Sequence, residues 1–250
     1  LVISNGQGGF NWTGTAEETA EEQWVKPFRT RSSWLAFTNS MSDPFHKDLS
    51  DAAVLHFFRT LHLASWHTWQ VLTKRHKRMA RFMARLSLRD GMLQLSPREL
   101  PWDERAELPN VWIGVTAENQ KRADERLRYL REVKAAVRFV SMEPLLGHVT
   151  LGPLIADIDW VIVGGESAAA GKYRPMENAW ARALRDECRA AGVPFYFKQR
   201  SGERPWLLPK DLDGEFLKQL PLRQKLSAPS PEARRQLIAW ARAEYAVVFP

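Results

Sequence analysis

Asp159–Ser167 reads DWVIVGGES. Trp160, Val161, Ile162 and Val163 form a short apolar run that stops at Gly164 and Gly165, with Glu166 and Ser167 directly behind. A buried strand that ends in two glycines and a carboxylate is a common way to bring backbone and one charged group against a ligand. Upstream, Arg138–Gly147 (RFVSMEPLLG) is built the same way, an apolar strand followed by Ser141, Glu143 and Pro144.

The pattern repeats outward. SWLAFTNS (33–40), TWQVLT (68–73), NVWIGVT (110–116) and VPFYFK (193–198) are four further apolar runs. Helical patterns lie between them. Residues 50–64 open behind Ser50 as cap and put Val54, Leu55, Phe57, Phe58 and Leu61 on one side. Residues 76–86 space Met79, Phe82, Met83 and Leu86 helically, beside a basic face of Lys77, Arg78, Arg81 and Arg85. Residues 120–134 are heavily charged, with Leu127, Leu130 and Val133 as the inner stripe. Residues 176–191 set Trp180, Leu184 and Cys188 four apart and stop at Gly192, so Cys188 reads as a packed core thiol. A last helix is expected from Pro231, capped by Ser230, to Val247. Glu17–Phe28 is weakly amphipathic and limited by Pro27, and residues 87–109 read as an irregular excursion or a local subdomain.

Six strands, most followed by a helix at spacings of roughly 25–45 residues, predict parallel β/α units. Continuous apolar strands fit a sheet buried on both faces. No glycine-rich dinucleotide turn follows the first strand, which disfavours a Rossmann fold. The expected fold class is therefore α/β, an open or partial (β/α) barrel. Its expected parts are an extension (1–30), a barrel core (31–200) and a second extension with a terminal helix (201–250).

Composition narrows the class. Apolar residues at 44% and charged ones at 26% belong to a globular chain rather than a disordered one. The net charge of +7 favours nucleic acid, a nucleotide or another anionic partner, and a generic basic surface explains it as well. Eleven tryptophans point first to core packing and second to base or sugar stacking. One cysteine rules out an intrachain disulfide and a cysteine-only metal or cluster site. No run approaches the ~18 apolar residues of a membrane span, and no signal peptide is visible, so a cytoplasmic protein is expected. Leu1 is not a start methionine, and LVISNGQGGFNW reads as the interior of something longer, so a fragment is expected.

In parallel barrels, chemistry sits at the C-terminal ends of the strands. Those ends are Asn39, Ser40 and Asp43; Thr73, Lys74 and Arg75; Thr116, Glu118 and Asn119; Ser141 and Glu143; Gly164, Gly165, Glu166 and Ser167; Lys198 and Gln199. Loops are wet in any protein, but here each polar set starts within a residue of its apolar run. One shared cavity is the expectation. Three glutamates with Lys74, Arg75 and Lys198 suit a zwitterion or a phosphate ester, with Arg75 as anion clamp and a glutamate on an ammonium. Carboxylates alone would serve magnesium or acid–base work, but no metal-ligand spacing is visible. The six histidines are scattered and read as surface or helix filler.

NSMSDPFH (39–46), QVLTKR (70–75), VWIGVTAEN (111–119), RFVSMEPLLG (138–147), DWVIVGGES (159–167), RPM (174–176), LRDECRAAGVPFYFKQ (184–199) and LDGEFLKQLP (212–221) together resemble the phage gene-product thirty-seven/sixty-eight family. That resemblance implies a relative of radical S-adenosylmethionine enzymes, from phage or prophage. Full-length members open with a three-cysteine motif, which by analogy would ligate a [4Fe–4S] cluster. This sequence lacks that segment. The resemblance further implies that Glu166, with the backbone of Gly164 and Gly165, holds the cofactor's ammonium or ribose. Glu143, Lys74, Arg75, Asn39 and Asp43 would then face an unknown substrate, nucleic acid among the candidates. Lys172-Tyr173 before RPM and Arg200 after FKQ depart from the family's pattern. The rivals are a non-enzymatic nucleic-acid-binding protein and an inactive, truncated relative.

Overall fold

The structure, a computed structural model, describes residues 2–4, 10–12, 20–38, 42–168, 171–204, 206–223 and 226–248. In chain order the elements begin with β1 (Val2–Ser4), β2 (Phe10–Trp12), α1 (Glu21–Arg29), β3 (Leu35–Phe37), α2 (Asp51–Leu63), β4 (Thr68–Thr73) and α3 (His76–Met83). Next come β5 (Leu86–Arg89), β6 (Met92–Leu95), β7 (Val111–Thr116), α4 (Gln120–Leu130) and β8 (Val137–Met142). The chain closes with β9 (Trp160–Val163), α5 (Asn178–Ala191), β10 (Phe195–Phe197) and α6 (Pro231–Val248). The fold class is α/β, with an open sheet of six parallel strands in the manner of a partial (β/α) barrel. Those six strands are the ones their apolar runs predict.

The chain divides into two units, Leu1–Val111 with Arg223–Pro250, and Trp112–Leu222. In the first, β3 runs parallel to β4, with Leu35 opposite Thr68. Ser50 caps α2 by accepting a hydrogen bond from the Ala53 amide, 3.1 Å. Phe28, Phe45, Phe58, Trp66 and Phe82 are fully buried around these elements, each contributing about 1.5–3 kcal/mol of hydrophobic stabilisation. Helix α6 lies on α1 and α2: Phe28 meets Trp240 edge-on at 6.4 Å, and Arg59 pairs with Glu244 at 3.0 Å.

Two elements of this unit differ from their expected form. Helix α3 stops at Met83, because residues 86–95 turn back as the antiparallel hairpin β5–β6. Asp90 (φ 51°) and Gly91 (φ 74°) make its two-residue turn, a conformation that Asp-Gly favours, so part of 87–109 is regular. The histidines are less peripheral than expected. His56 and His67 are 1% exposed. His67 takes the Trp34 amide on Nδ1 at 3.1 Å and donates from Nε2 to the Pro27 carbonyl at 3.0 Å, which defines its neutral tautomer.

The second unit holds β7, β8, β9 and β10 side by side in that order, all parallel. Helices α4 and α5 connect them, burying Leu127 and Leu130 from one and Leu184 and Cys188 from the other. Gly192, in the left-handed region at φ 70°, ends α5. Cys188 is fully buried, and burial pushes its thiol up to about 12. The outer edge of β10 is covered by residues 217–219: Phe197 donates to Leu217 at 2.7 Å and Gln219 to Phe195 at 3.2 Å. Trp112 and Trp160 pack edge-on at 5.7 Å, the core role expected of most tryptophans. Among the described residues, no helix is long and apolar enough to cross a membrane.

Candidate functional site

The polar strand ends of the second unit resolve into three carboxylates, each with its own cation. At the end of β7, Thr116 is buried and Glu118 follows. Arg126 reaches them from α4 and is only 6% exposed; its Nη1 donates to the Thr116 carbonyl at 2.9 Å and to Glu118 Oε2 at 3.0 Å. Burial pushes the Arg126 guanidinium below its ordinary value, and Glu118 opposes that shift. Asn119 serves the fold: its Oδ1 caps α4 by accepting from the Arg122 amide at 3.1 Å.

Glu143 and Lys198 follow β8 and β10, the two strands that flank β9. Lys198 Nζ lies 2.5 Å from Glu143 Oε2, so the pair spans the end of β9, where Gly164 stands. A Cβ on Gly164 would sit 3.2 Å from Glu143 Cγ, tight enough to push on that side chain, and would just touch Lys198 Cβ at 3.4 Å. The glycine leaves room for the pair. Gly165 has a different reason. A Cβ there would fall 2.2 Å from the Ser201 amide nitrogen, because the chain's own backbone at 200–201 fills that space.

Glu166 is held by Arg174, whose backbone amide and Nε donate to Oε2 at 2.7 and 2.9 Å. Those bonds depress its carboxyl to about 2. Glu118 adds a minor pull on Arg174, after the larger one from Glu166. Ser167 bridges to Gly202, Gln199 Nε2 donates weakly to the Gly165 carbonyl at 3.4 Å, and Ser141 is buried within β8. Composition of the strand ends alone does not reveal Arg126 and Arg174. Arg126 had a signal, since it shares the inward face of α4 with Ala123, Leu127 and Leu130. Arg174 lies in a loop with none.

In the first unit, Asp43 gathers the other predicted residues. It accepts from Thr73 Oγ1 at 2.7 Å and from the Lys74 amide, the Phe45 amide and Arg75 Nη1 at 3.0 Å each. The Arg75 amide donates in turn to Thr73 Oγ1 at 2.8 Å. Four donors on one carboxylate close this strand end on itself. Asn39 and Ser40 lie outside the described residues.

Among the described residues no group of three or more His, Cys, Asp or Glu is placed to hold a metal ion. The single cysteine is buried in α5, so the [4Fe–4S] cluster that the resemblance implies for full-length members finds no set of cysteine ligands in this sequence. No curated protein matches the chain, and no solved structure does. A family model described as "Protein of unknown function (DUF5131)" matches residues 3–221. The open parallel sheet and its charged strand ends are therefore those of a chain that belongs to the DUF5131 family.

Proposed function

We propose that the strand ends of the second unit bind S-adenosylmethionine by its amino-acid end, within a radical-SAM-like architecture. One observation carries the reading: the Glu143–Lys198 pair, held across a strand end whose glycine leaves it space. The pair offers an acid and a base 2.5 Å apart, as the α-ammonium and α-carboxylate of an amino acid would. A bound methionyl group replaces the internal contact with two external ones, its ammonium on Glu143 and its carboxylate on Lys198. Lys198 is 53% exposed along its side chain, so it can swing out without stranding a buried charge. Glu166 is committed to Arg174, which leaves Arg174's exposed face for the ribose hydroxyls or a substrate anion.

Bound S-adenosylmethionine supplies a sulfonium-activated carbon, and the residues here hold its charged end. The resemblance to the phage gene-product thirty-seven/sixty-eight proteins supports this assignment, and with it a phage or prophage origin and a cytoplasmic location. No step is assigned to an iron–sulfur cluster, for which a single cysteine supplies no ligand set. Isothermal titration of the whole chain with S-adenosylmethionine is the test. Binding is expected, weakened about tenfold by Glu143→Gln and by Lys198→Met. No binding at millimolar ligand, or full binding in both variants, would sink the assignment.

A second reading, nucleic-acid binding, draws on the net charge of +7 and on Lys74, Lys77 and Arg81, all exposed around α3. The other arginines of that face are spent internally, Arg78 and Arg85 on Asp51 at 3.2 and 2.9 Å. It predicts binding to single- or double-stranded oligonucleotides that falls steeply with salt. Weak binding that ignores salt counts against it.

A further inference from the structure

We propose that the first unit carries a second ligand site, built for a phosphate group, in the cleft between residues 31–33 and the segment that leads into α6. The cleft has a volume of about 460 Å³. Its polar lining is Arg31, Ser32, Ser33, Ser227 and Arg234, and the rest of its wall is apolar, drawn from residues 226–231. The lining residues bring two guanidinium groups and three hydroxyls and include no carboxylate. Six other arginines of the same unit contrast with these two. Arg29, Arg59, Arg75, Arg78, Arg85 and Arg242 of the same unit all have acidic partners.

Among the described residues Arg234 has only a carbonyl: its Nη1 donates to Arg29 O at 3.2 Å. Two polar atoms of the lining are withdrawn from solvent without a hydrogen-bond partner among the described residues, Ser33 Oγ and Arg234 Nε. Leaving a buried donor on a charged group unmade is costly, more so than for a neutral one. A ligand that brings acceptor oxygens removes these deficits once the Ser33 hydroxyl and the Arg234 side chain turn toward the cleft, since neither atom is open to it as placed. Planar guanidinium forks match the oxygens of phosphate and carboxylate alike. The count of donors decides between them. Two guanidinium groups and three hydroxyls exceed what the two coplanar oxygens of a carboxylate take up, whereas a phosphate, monoester or diester, sets four oxygens in a tetrahedron. The site takes a phosphate ester, whether a free phosphomonoester or the backbone of a nucleic acid.

The site belongs to the first unit and is independent of the S-adenosylmethionine reading; Glu143→Gln leaves it intact. The experiment uses the whole chain in a chloride buffer, with inorganic phosphate, adenosine monophosphate and a short oligothymidylate as probes and acetate as the carboxylate control. Thermal unfolding is expected to shift upward with phosphate, beyond what chloride does at equal ionic strength, and not with acetate. Arg31→Ala, a change at an exposed position, is expected to weaken phosphate binding about tenfold. Ser33→Ala is the sharper variant. Its hydroxyl has no partner to lose, so the phosphate-free Tm stays level or rises while the phosphate-induced shift shrinks. Tighter binding of adenosine monophosphate than of oligothymidylate identifies a free ester as the source, and the reverse order identifies a nucleic-acid backbone. No phosphate-specific shift, an equal shift with acetate, or an undiminished shift in both variants overturns the site.

Discussion

Asp43 and Glu143 each stand just past a strand end, and the two units use them in opposite ways. Asp43 is 13% exposed along its side chain and takes four donors from Thr73, Lys74, Phe45 and Arg75, all of its own unit. Glu143 is 21% exposed and meets one lysine that is itself half in solvent. The first carboxylate is a fastening for the loop after β4. The second is paired with a lysine half in solvent, which is the feature the S-adenosylmethionine proposal draws on. Polar residues at strand ends are thus no guide to function until the partners on each carboxylate are known.

The largest effect should come from breaking the fastening. Asp43→Ala strands Thr73, the Lys74 amide and Arg75 together and is expected to cost about 3–5 kcal/mol in urea unfolding. A cost below ~1 kcal/mol would erase the contrast with Glu143.

Acid should weaken the first unit next. His56 lies between Trp24 at 4.7 Å and Trp240 at 5.8 Å, and burial lowers its pKa from 6.5 to about 4, with Glu244 opposing and Arg59 reinforcing. The unfolded chain therefore binds the extra proton first. Stability that is full above pH 6.5 is lost as pH falls toward 4, by about 3 kcal/mol in total. Glu166 in the second unit behaves differently, since its contribution persists down to its unfolded value of 4.5 and fades only as pH falls through about 2. Urea midpoints at pH 7.5, 6 and 5 check this, and His56→Leu should flatten the dependence over that range.

A smaller loss, about 2 kcal/mol, is expected for Gly165→Ala, whose Cβ must displace the backbone at Ser201. Thermal melts would show it, and an unchanged Tm would mean that the 200–201 segment yields freely. The smallest effect belongs to Glu143→Gln. As a half-exposed pair, it should change stability by less than about 1 kcal/mol while weakening S-adenosylmethionine binding, so that fold and ligand separate in one variant.

The six parallel strands were legible because each is an apolar run with a polar end, and burial on both faces demands that composition. Helix caps were legible too: Ser50 and Gly192 act where their chemistry predicts. The β5–β6 hairpin was written in Asp90-Gly91 but obscured by the prolines that follow. Arg126 and Arg174 escaped, because a cation eight residues from its carboxylate is placed there only by the packing of α4 and by the course of the 168–176 loop. The cleft at Arg31 and Arg234 is further out of reach, as it joins residues some two hundred positions apart.

By itself the sequence determined the class of fold, the six strands and which residues stand at their ends. Those properties follow from local periodicity and from the partition of apolar side chains away from water. Tertiary structure decided which of those polar residues are already spoken for. It closed Asp43 on itself, assigned Arg174 to Glu166, filled the space beside Gly165 with the chain's own backbone and left Glu143 and Lys198 facing each other across Gly164. The reason is physical. A hydrogen-bonding group has the same chemistry wherever it stands in the chain, and only the positions of its neighbours in space fix whether its bonds are made within the fold or kept for a ligand.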